Sequence, residues 1–338
     1  MNIKRVVFFN AAARGDIFIG RGFVKDVIEK ILKPNQIDFS YVTCWSDYFT
    51  KDLSQKHSRW NYLDGYENEP ITDLNPQSKW FVKNDTLYFN TWYCADYKKC
   101  FTYYGCSLKT MHCVFSDFYD IFGLKISENL LDYLPKINYM EYNIEKINNH
   151  FSTKNKNKKN IFISTSYPRS DQAPTDSLVE MIITISEKYK NCDFYITDNV
   201  VSRDNVFYTG NILYEQKFNI ETQSDLISSY PMGEYPHCGS SDNKCRNYKN
   251  TIDLIECSYF STFCDVIIGK STGTYSYSLV DQNIKNNKTK FVGICSLSLA
   301  SAGLHSIIND KFYSDTKSIE YNLQKNVDLI SNVIEEKI

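Results

Sequence analysis

The most regular feature of the chain is a recurring order of apolar run, polar turn and amphipathic segment. The first run, Val6–Asn10, is almost continuously apolar, as in a strand buried on both faces. After a turn at 11–16, apolar residues recur at helical spacing from Ile17 to Leu32, and Pro34 ends that segment. Phe39–Cys44 is the next apolar run. This β-turn-α-β order predicts the opening of a parallel, doubly wound sheet.

The rest of the N-terminal half continues less regularly. Residues 52–78 are polar and contain two prolines, which predicts an insertion or a long loop. A strand is expected over 87–92 after the turn at Asn84-Asp85, and helical periods run over 108–122 and 126–134. Residues 148–160, NNHFSTKNKNKKN, have almost no apolar content and are interpreted as a polar linker.

A second β-α-β series begins after this linker. It has strands at 161–166, 193–197, 205–209, 266–269 and 291–295, and helices at 178–189, 252–263, 274–282 and 319–334. The chain is therefore expected to be an α/β protein with two Rossmann-like domains that face a central cleft. An N-terminal domain spans 1–155, a C-terminal domain spans 156–315, and a terminal helix at 316–338 packs back on the N-terminal domain.

The composition argues against a nucleic-acid-binding protein and against a membrane-spanning one. The 338 residues carry a formal net charge of -2, and a protein that binds nucleic acid mainly by charge needs an excess of clustered Lys and Arg. The only local basic run is Lys154–Lys159. No apolar segment approaches the roughly 20 residues that span a bilayer, and the first apolar run is too short for a signal peptide. We therefore expect a cytoplasmic protein with no nucleic-acid partner and no transmembrane segment.

The eleven cysteines do not predict a disulfide framework or a zinc site. Their number is odd, and no secretory signal precedes them. The densest group is Cys94, Cys100, Cys106, His112 and Cys113, which lacks the CxxC-like spacing of structural zinc sites. No metal site is predicted.

The strongest chemical signal is VIIGKSTGTY, residues 266–275, in which a buried strand ends in a loop of small and hydroxyl residues before a helix. Backbone N–H groups at such a helix start, with the hydroxyls of Ser271, Thr272 and Thr274, suit a diphosphate, and Gly273 lets the backbone approach it. The order GxxxxGK[ST] of a Walker A loop is absent. The alternative is a tight turn in which Ser271 or Thr272 caps the helix.

A second signal, STSYPRS at 164–170, follows the first strand of the same half. The fork of donors on Arg169 suits a diphosphate at that edge of the sheet. The alternative is a surface arginine in a turn.

The third signal is Arg14-Gly15-Asp16, which follows the first strand of the N-terminal half. A carboxylate at Asp16 suits a general base that deprotonates an acceptor hydroxyl, and the alternative is an N-cap for a helix that starts near Ile17. Arg21 either neutralises substrate charge or faces solvent.

Further residues near the acceptor side carry weaker signals. Trp92 and Tyr93 suit stacking on a sugar, although such residues more often belong to the core. Asp96 and Asp117 are reserve bases, and His112 is interpreted as structural.

No Asp-x-Asp pair occurs anywhere in the sequence. Many glycosyltransferases of a fold class other than two facing Rossmann-like domains hold a divalent metal ion with such a pair. Without it, a helix N-terminus and basic side chains have to stabilise a leaving diphosphate, so metal-independent chemistry is expected.

These residues resemble a known family. RGDIFIGRGFVKDV at 14–27 resembles the Gly-Asp segment that opens heptosyltransferase-like glycosyltransferases of the GT-B fold, NDTLYFNTWY at 84–93 looks like the strand before their acceptor side, and residues 251–278 are similar to their donor-binding helix-strand-loop-helix. The resemblance implies that Asp16 is the base and that Ser271, Thr272, Gly273 and Thr274 contact the donor. Asp253 and Glu256 then lie near the ribose.

The chain departs from heptosyltransferases at 270–273, Lys-Ser-Thr-Gly, where they have an Asp-Ser/Thr-Gly run. The resemblance implies an inverting, metal-independent glycosyltransferase. It moves a sugar from a nucleotide-sugar donor, a co-substrate and not a resident cofactor, to a glycan or other hydroxyl acceptor. Two alternatives stay open: a nucleotide-sugar 2-epimerase, which shares this two-domain plan, and a non-catalytic protein that binds a nucleotide sugar or glycan.

Overall fold

The computed structural model describes most of the chain in segments. These segments are 2–10, 14–43, 47–53, 56–59, 80–91, 108–165, 175–213, 254–270, 273–286, 289–294, 313–314 and 319–337. They divide into two compact units, the first running to Glu141 and the second beginning at Tyr142.

Unit 1 is built on a five-stranded sheet. Its strands are β1 (Arg5–Asn10), β2 (Asp38–Thr43), β3 (Lys56–Arg59), β4 (Trp80–Lys83) and β5 (Thr86–Asn90). The order is β3-β2-β1-β5-β4, with β4 antiparallel to β5 and the other pairs parallel. The β4–β5 hairpin turns at the expected Asn84-Asp85, where Asn84 has a φ of 55°.

Two long helices cover this sheet. They are α1 (Arg14–Val27), which continues as a π-helical turn at Ile28–Leu32, and α2 (Leu108–Ile121). Between them packs a 3₁₀ turn at Leu130–Tyr133, where an α-helix was expected over 126–134. Gly22 in α1 permits this approach, because a Cβ there would stand 1.9 Å from the carbonyl oxygen of Tyr133.

Unit 2 is built on a six-stranded parallel sheet. Its strands are β6 (Lys159–Ser164), β7 (Cys192–Ile196), β8 (Val206–Tyr208), β9 (Val266–Lys270), β10 (Lys290–Ile294) and β11 (Tyr313–Ser314). The order is β11-β10-β9-β6-β7-β8. Numbered within the unit, this is 3-2-1-4-5-6 read from β8, the order of dinucleotide-binding Rossmann folds.

The described segments of unit 2 contain seven helices. They are α3 (Glu145–Ser152), α4 (Thr175–Lys188), α5 (Thr209–Leu213), α6 (Leu254–Ser261), α7 (Gly273–Ser278), α8 (Asp281–Lys285) and the terminal helix α9 (Ile319–Glu335). One apolar cluster joins α4, α9 and one face of the sheet, and it includes Ile182, Phe194 and Ile330. The Tyr189 hydroxyl also donates to Glu335 at 2.6 Å. The terminal helix, expected to pack on the N-terminal domain, thus packs within unit 2.

The interpretation of 148–160 as a polar linker is wrong. Residues up to Ser152 belong to α3, in which the ring of Phe151 stacks on Phe263 at 4.5 Å. The polar residues that follow form a closed turn, since Asn157 N donates to Asn155 Oδ1 at 3.0 Å. The units therefore divide at 141/142, ahead of the predicted boundary at 155.

No helix within the described segments has both the length and the apolar character needed to cross a bilayer.

Candidate functional site

The carboxyl edge of the unit 2 sheet is the place where this fold binds ligands. The strand order reverses between β6 and β9, the two neighbouring central strands, whose ends pair as Ser164 with Gly269. In open α/β sheets, ligands bind in the crevice outside the carboxyl ends of strands at such a reversal. Both loops with a predicted phosphate role, 164–170 and 270–274, leave the sheet from these two strands. The topology thus brings the two signals to one edge.

Most predicted phosphate contacts lie outside the described residues. Arg169, Ser271 and Thr272 belong to this group, and Asp253, predicted to lie near the ribose, is also outside the described residues. Gly273 and Thr274 are the first two residues of α7. A helix therefore does begin directly after the loop, as the sequence predicts, and the contacts themselves stay a prediction.

The glycine that ends the buried part of β9 has a packing role. A Cβ on Gly269 would stand 2.5 Å from Cδ2 of Tyr275 and 2.8 Å from its Cβ. Tyr275 is only 1% exposed, so its ring fills the space that this glycine leaves against the strand. Gly269 is therefore required for the contact between β9 and α7, which fixes where the helix begins relative to the strand.

Glu256 is the predicted site residue whose surroundings are most unusual. It lies in the first turn of α6 and is 8% exposed, and its Oε2 atom has no hydrogen-bond partner among the described residues. Burial raises the pKa of this carboxyl group to about 7, opposed by a backbone hydrogen bond. A buried acceptor left unsatisfied typically costs about 1–3 kcal/mol, and a ligand hydroxyl that donates to it recovers part of that cost.

Sequence reasoning missed a polar network at the same edge. Thr165, which follows β6, donates from its backbone N–H to Thr197 Oγ1 at 2.9 Å and from its hydroxyl to Asp198 Oδ2 at 3.2 Å. The backbone N–H of Asp198 donates back to Thr165 Oγ1 at 2.7 Å. Burial raises the pKa of Asp198, while the Thr165 hydrogen bond opposes the shift. Asp198 follows the second strand of the unit, where dinucleotide-binding Rossmann folds place the acid that binds ribose.

The signal for Asp198 was present in the sequence. The strand CDFYI ends in Thr197-Asp198-Asn199, so a carboxylate follows a buried strand directly. Its significance depends on which strands are neighbours, and the strand order supplies that information.

Unit 1 has a corresponding reversal between β1 and β5. The segment with Asp16 follows β1, and the segment with Trp92, Tyr93 and Asp96 follows β5. Helix α1 begins at Arg14, so Asp16 is its third residue and not the N-cap of a helix that starts near Ile17. The side chain of Asp16 and residues 92–96 lie outside the described part. The role of Asp16 as a base stays a prediction.

Arg21 is an interior residue of unit 1. Its side chain is fully buried and forms an ion pair with Asp52, whose side chain is also fully buried. The other carboxylate oxygen of Asp52 accepts the backbone N–H of Asn138 at 2.9 Å. The alternative that Arg21 faces solvent is therefore wrong, since its guanidinium ties α1 to the 3₁₀ segment Asp47–Leu53. A catalytic role stays a prediction.

His112 has structural contacts. Its Nε2 lies 2.9 Å from the carbonyl oxygen of Ser127, and its ring meets Phe23 edge-on at 6.4 Å. Among the residues that the structure describes, no cluster of three or more His, Cys, Asp or Glu side chains suits a metal ion. Cys94, Cys100 and Cys106 are not among those residues.

The comparisons with known proteins rest on structure alone. No family model matches the sequence, and no curated protein sequence matches it. Among solved structures, the chain is similar to ADP-heptose lipopolysaccharide heptosyltransferase II of E. coli, with a TM-score of 0.52 and 8% identity over 99% of this chain and 100% of that one.

Two further solved structures are similar over the whole length. An E. coli heptosyltransferase with ADP has a TM-score of 0.46 and 9% identity, with 99% of this chain and 100% of that one covered. A Listeria monocytogenes protein assigned as a UDP-N-acetylglucosamine 2-epimerase has a TM-score of 0.45 and 10% identity, with 100% and 90% covered. The strand orders of both units and the likeness to heptosyltransferase II show that this chain has the GT-B type of fold, with two Rossmann-like domains.

Proposed function

We propose that the protein is a glycosyltransferase that transfers a sugar from a nucleoside-diphosphate sugar to a hydroxyl acceptor. The observation that carries this proposal is the position of the two phosphate-type loops of unit 2. They follow β6 and β9, the two strands between which the order reverses. The heptosyltransferase II with the same fold uses, by its name, ADP-heptose, a sugar donor of this class.

Unit 2 supplies the donor site in this proposal. The diphosphate lies at the start of α7, where Ser271, Thr272, Gly273 and Thr274 donate hydrogen bonds, and Arg169 from the neighbouring loop pairs with it. The ribose hydroxyls donate to a buried carboxylate at the same edge. Glu256 Oε2 has no hydrogen-bond partner among the described residues and could accept such a hydroxyl. Asp198 follows the second strand of the unit, the position of the ribose-binding acid in dinucleotide-binding Rossmann folds.

Unit 1 supplies the base. Asp16 takes the proton of the acceptor hydroxyl, the freed oxygen forms a bond to the anomeric carbon, and the bond from that carbon to the diphosphate breaks on the opposite face. The sugar configuration is inverted, and the nucleoside diphosphate leaves with the bonding electrons. Backbone N–H groups and Arg169 stabilise its charge, and we propose that no metal is needed.

A screen of nucleoside diphosphates by thermal shift tests the donor site. One of ADP, UDP, GDP and CDP is expected to raise the melting temperature, because a ligand that binds only the native state stabilises it by mass action. Asp16→Asn should keep this shift and lose turnover of the matching sugar donor, with Asp120→Asn, an exposed residue of α2, as the matched control. The proposal fails if none of the four diphosphates binds, and Asp16 loses its role if Asp16→Asn turns over normally.

The ribose contact is tested by comparing the diphosphate that binds with its 2′-deoxy form. The ribose form should bind about tenfold or more tightly, because a hydrogen bond to a charged group contributes roughly 1.5–3 kcal/mol. Glu256→Gln should abolish this preference if Glu256 accepts the hydroxyl, and Asp198→Asn should abolish it if Asp198 does. Glu180→Gln, an exposed position on α4, is the control. A preference that survives both substitutions would remove both carboxylates from the ribose site.

Isomerised donor in the absence of acceptor would instead identify the protein as an epimerase.

A further inference from the structure

The basic run of the sequence is folded into a pocket that the proposed reaction does not use. The pocket encloses about 270 Å³ at the amino edge of the unit 2 sheet. We call it the amino-edge pocket. It is lined by Phe151, Lys154, Asn155, Lys156, Lys158, Lys159, Asn160, Phe263 and Asp265. Lys159 and Asn160 open β6, and Asp265 immediately precedes β9, so this pocket lies at the end of the strands opposite to the proposed donor site.

The side chains of Asp193 and Asn160 hold two of these lysines in place. Asp193 is almost fully buried, and its two oxygens accept Lys154 at 2.7 Å and Lys158 at 2.9 Å. The Lys154 ammonium group also donates to Asn160 Oδ1 at 3.0 Å and lies 4.2 Å from the centre of the Tyr195 ring. Lys154 is therefore a fixed cation in the wall of the pocket, with only 14% of its side chain exposed.

The carboxylates nearby do not balance the lysines. Asp193 faces two lysines, and Asp265 lies 3.9 Å from Lys159 while its other oxygen accepts the backbone N–H of Asn160 at 2.9 Å. Lys156 is exposed and forms no ion pair within the described segments. The four lysines of the pocket and Asp193 with Asp265 thus leave a net positive charge.

Two more lysines extend this positive region. Lys290 opens β10, where its backbone N–H donates to the carbonyl of Asp265 at 2.9 Å, and its side chain pairs with Glu336 at 3.7 Å. The second is Lys337. Its pKa is lowered mainly by burial and further by the positive charges of Lys290 and Lys159. Among the residues that the structure describes, six lysines therefore meet three side-chain carboxylates here, which attracts anions.

We propose that the amino-edge pocket binds a phosphate-bearing ligand, with Lys156, Lys158 and Lys159 as its main donors. Lysine is a point-charge donor that suits phosphate oxygens without demanding a planar partner. The volume would hold about nine waters, at roughly 30 Å³ each, so the pocket has room for more than one phosphate group. The side-chain amide of Asn155 adds a neutral donor at its rim, whereas that of Asn160 already donates to the carbonyl oxygen of Phe263 at 3.1 Å.

The pocket is tested by site-resolved acylation of lysines followed by mass spectrometry of the full-length protein. Pyrophosphate, titrated against sodium chloride of matched ionic strength, should slow acylation of Lys156, Lys158 and Lys159. Lys188 and Lys285 are the controls, because each has about half of its side chain exposed in an ion pair elsewhere in unit 2. The readout is local, so binding of pyrophosphate at the proposed donor site does not affect the result.

A variant makes the test quantitative. In Lys156→Ala/Lys159→Ala, the pyrophosphate concentration that half-protects Lys158 should rise about tenfold, because two charge-assisted contacts are lost. Lys188→Ala/Lys285→Ala should leave that concentration unchanged. A parallel series with vesicles of phosphatidylglycerol against vesicles of phosphatidylcholine separates the sources of the phosphate: protection by the acidic vesicles alone assigns the pocket to a lipid headgroup.

Equal protection by sodium chloride, equal protection of the control lysines, or no protection by either pyrophosphate or acidic vesicles would overturn the proposal.

Discussion

The buried ion pair of Arg21 and Asp52 offers the sharpest test of unit 1. Both side chains are fully buried, and Asp52 also accepts the backbone N–H of Asn138. Asp52→Ala removes a carboxylate that pairs with the buried guanidinium of Arg21, so it should lower the free energy of unfolding of unit 1 by about 3–5 kcal/mol. The exposed pair of Lys33 and Glu29 is the control, and Glu29→Ala should cost at most about 0.5 kcal/mol.

Replacing both partners by apolar residues separates the charge from the packing. Arg21→Met/Asp52→Leu removes both charges of this pair, and replacement of buried pairs is often neutral or stabilising. The lost acceptor for Asn138 costs about 1–3 kcal/mol. The double variant should therefore be more stable than Asp52→Ala, and the coupling between the two sites should exceed roughly 2 kcal/mol.

The assay is urea unfolding combined with hydrogen exchange of the β1 and α1 amides, because a protein of two units need not unfold in one step. A cost of Asp52→Ala below about 1 kcal/mol would refute the burial of this pair. The same double variant tests the predicted catalytic role of Arg21. A folded Arg21→Met/Asp52→Leu that keeps its turnover assigns the arginine to the structure of unit 1, and a folded variant without turnover supports catalysis.

Two further predictions concern unit 2. Gly269→Ala should destabilise it by about 1–3 kcal/mol, because the new methyl group overlaps the Tyr275 ring. The control is Gly20→Ala in α1, whose Cβ would lie 3.7 Å from the nearest side-chain atom and which should be neutral or stabilising by up to about 1 kcal/mol. Urea unfolding midpoints compare the two variants, and equal effects would contradict the contact between β9 and α7. Burial raises the pKa of the Glu256 carboxyl group from 4.5 to about 7, so the native state holds this proton more tightly than the unfolded state. Its contribution to the free energy of unfolding is therefore full below pH 4.5, and the free energy falls as the pH rises through 7. Glu256→Gln should remove up to about 3 kcal/mol of this fall between pH 5 and 8, and an identical pH slope in both proteins would contradict the buried carboxyl group.

Much of the fold was predictable because buried parallel strands are short continuous apolar runs. β1, β2, β6, β7, β9 and β10 lie within one or two residues of their predicted bounds. The α-helix expected over 126–134 was wrong because its apolar residues pack as a 3₁₀ turn, in which the Tyr133 ring stacks on Phe23 at 4.3 Å. Tertiary contact with α1 there outweighs the helical spacing.

Helix α3 was missed for a related reason. Its sequence, EKINNHFS, is polar and carries two asparagines, which disfavour helix in isolation. The structure stabilises it through tertiary contacts. Ile147 is fully buried, Phe151 joins the aromatic cluster with Tyr195 and Phe260, and His150 Nε2 lies 3.1 Å from the Tyr195 hydroxyl. Such distant partners are invisible to a local pattern, and the same limit hid the amino-edge pocket, whose acid Asp193 follows its lysines by more than thirty residues.

The candidate site shows why strand order adds independent weight to a sequence motif. The sequence singled out four strand-to-loop junctions for their chemistry, after residues 10 and 90 in unit 1 and after 164 and 270 in unit 2, without any knowledge of which strands are neighbours. In each sheet, the two strands involved are adjacent, and they are the pair at which the strand order reverses. Motif chemistry and chain topology are separate properties, so ordinary capping turns would have no reason to coincide with both reversals. A ligand edge requires that coincidence, because only there do two neighbouring loops diverge to opposite faces of the sheet and leave a crevice between them.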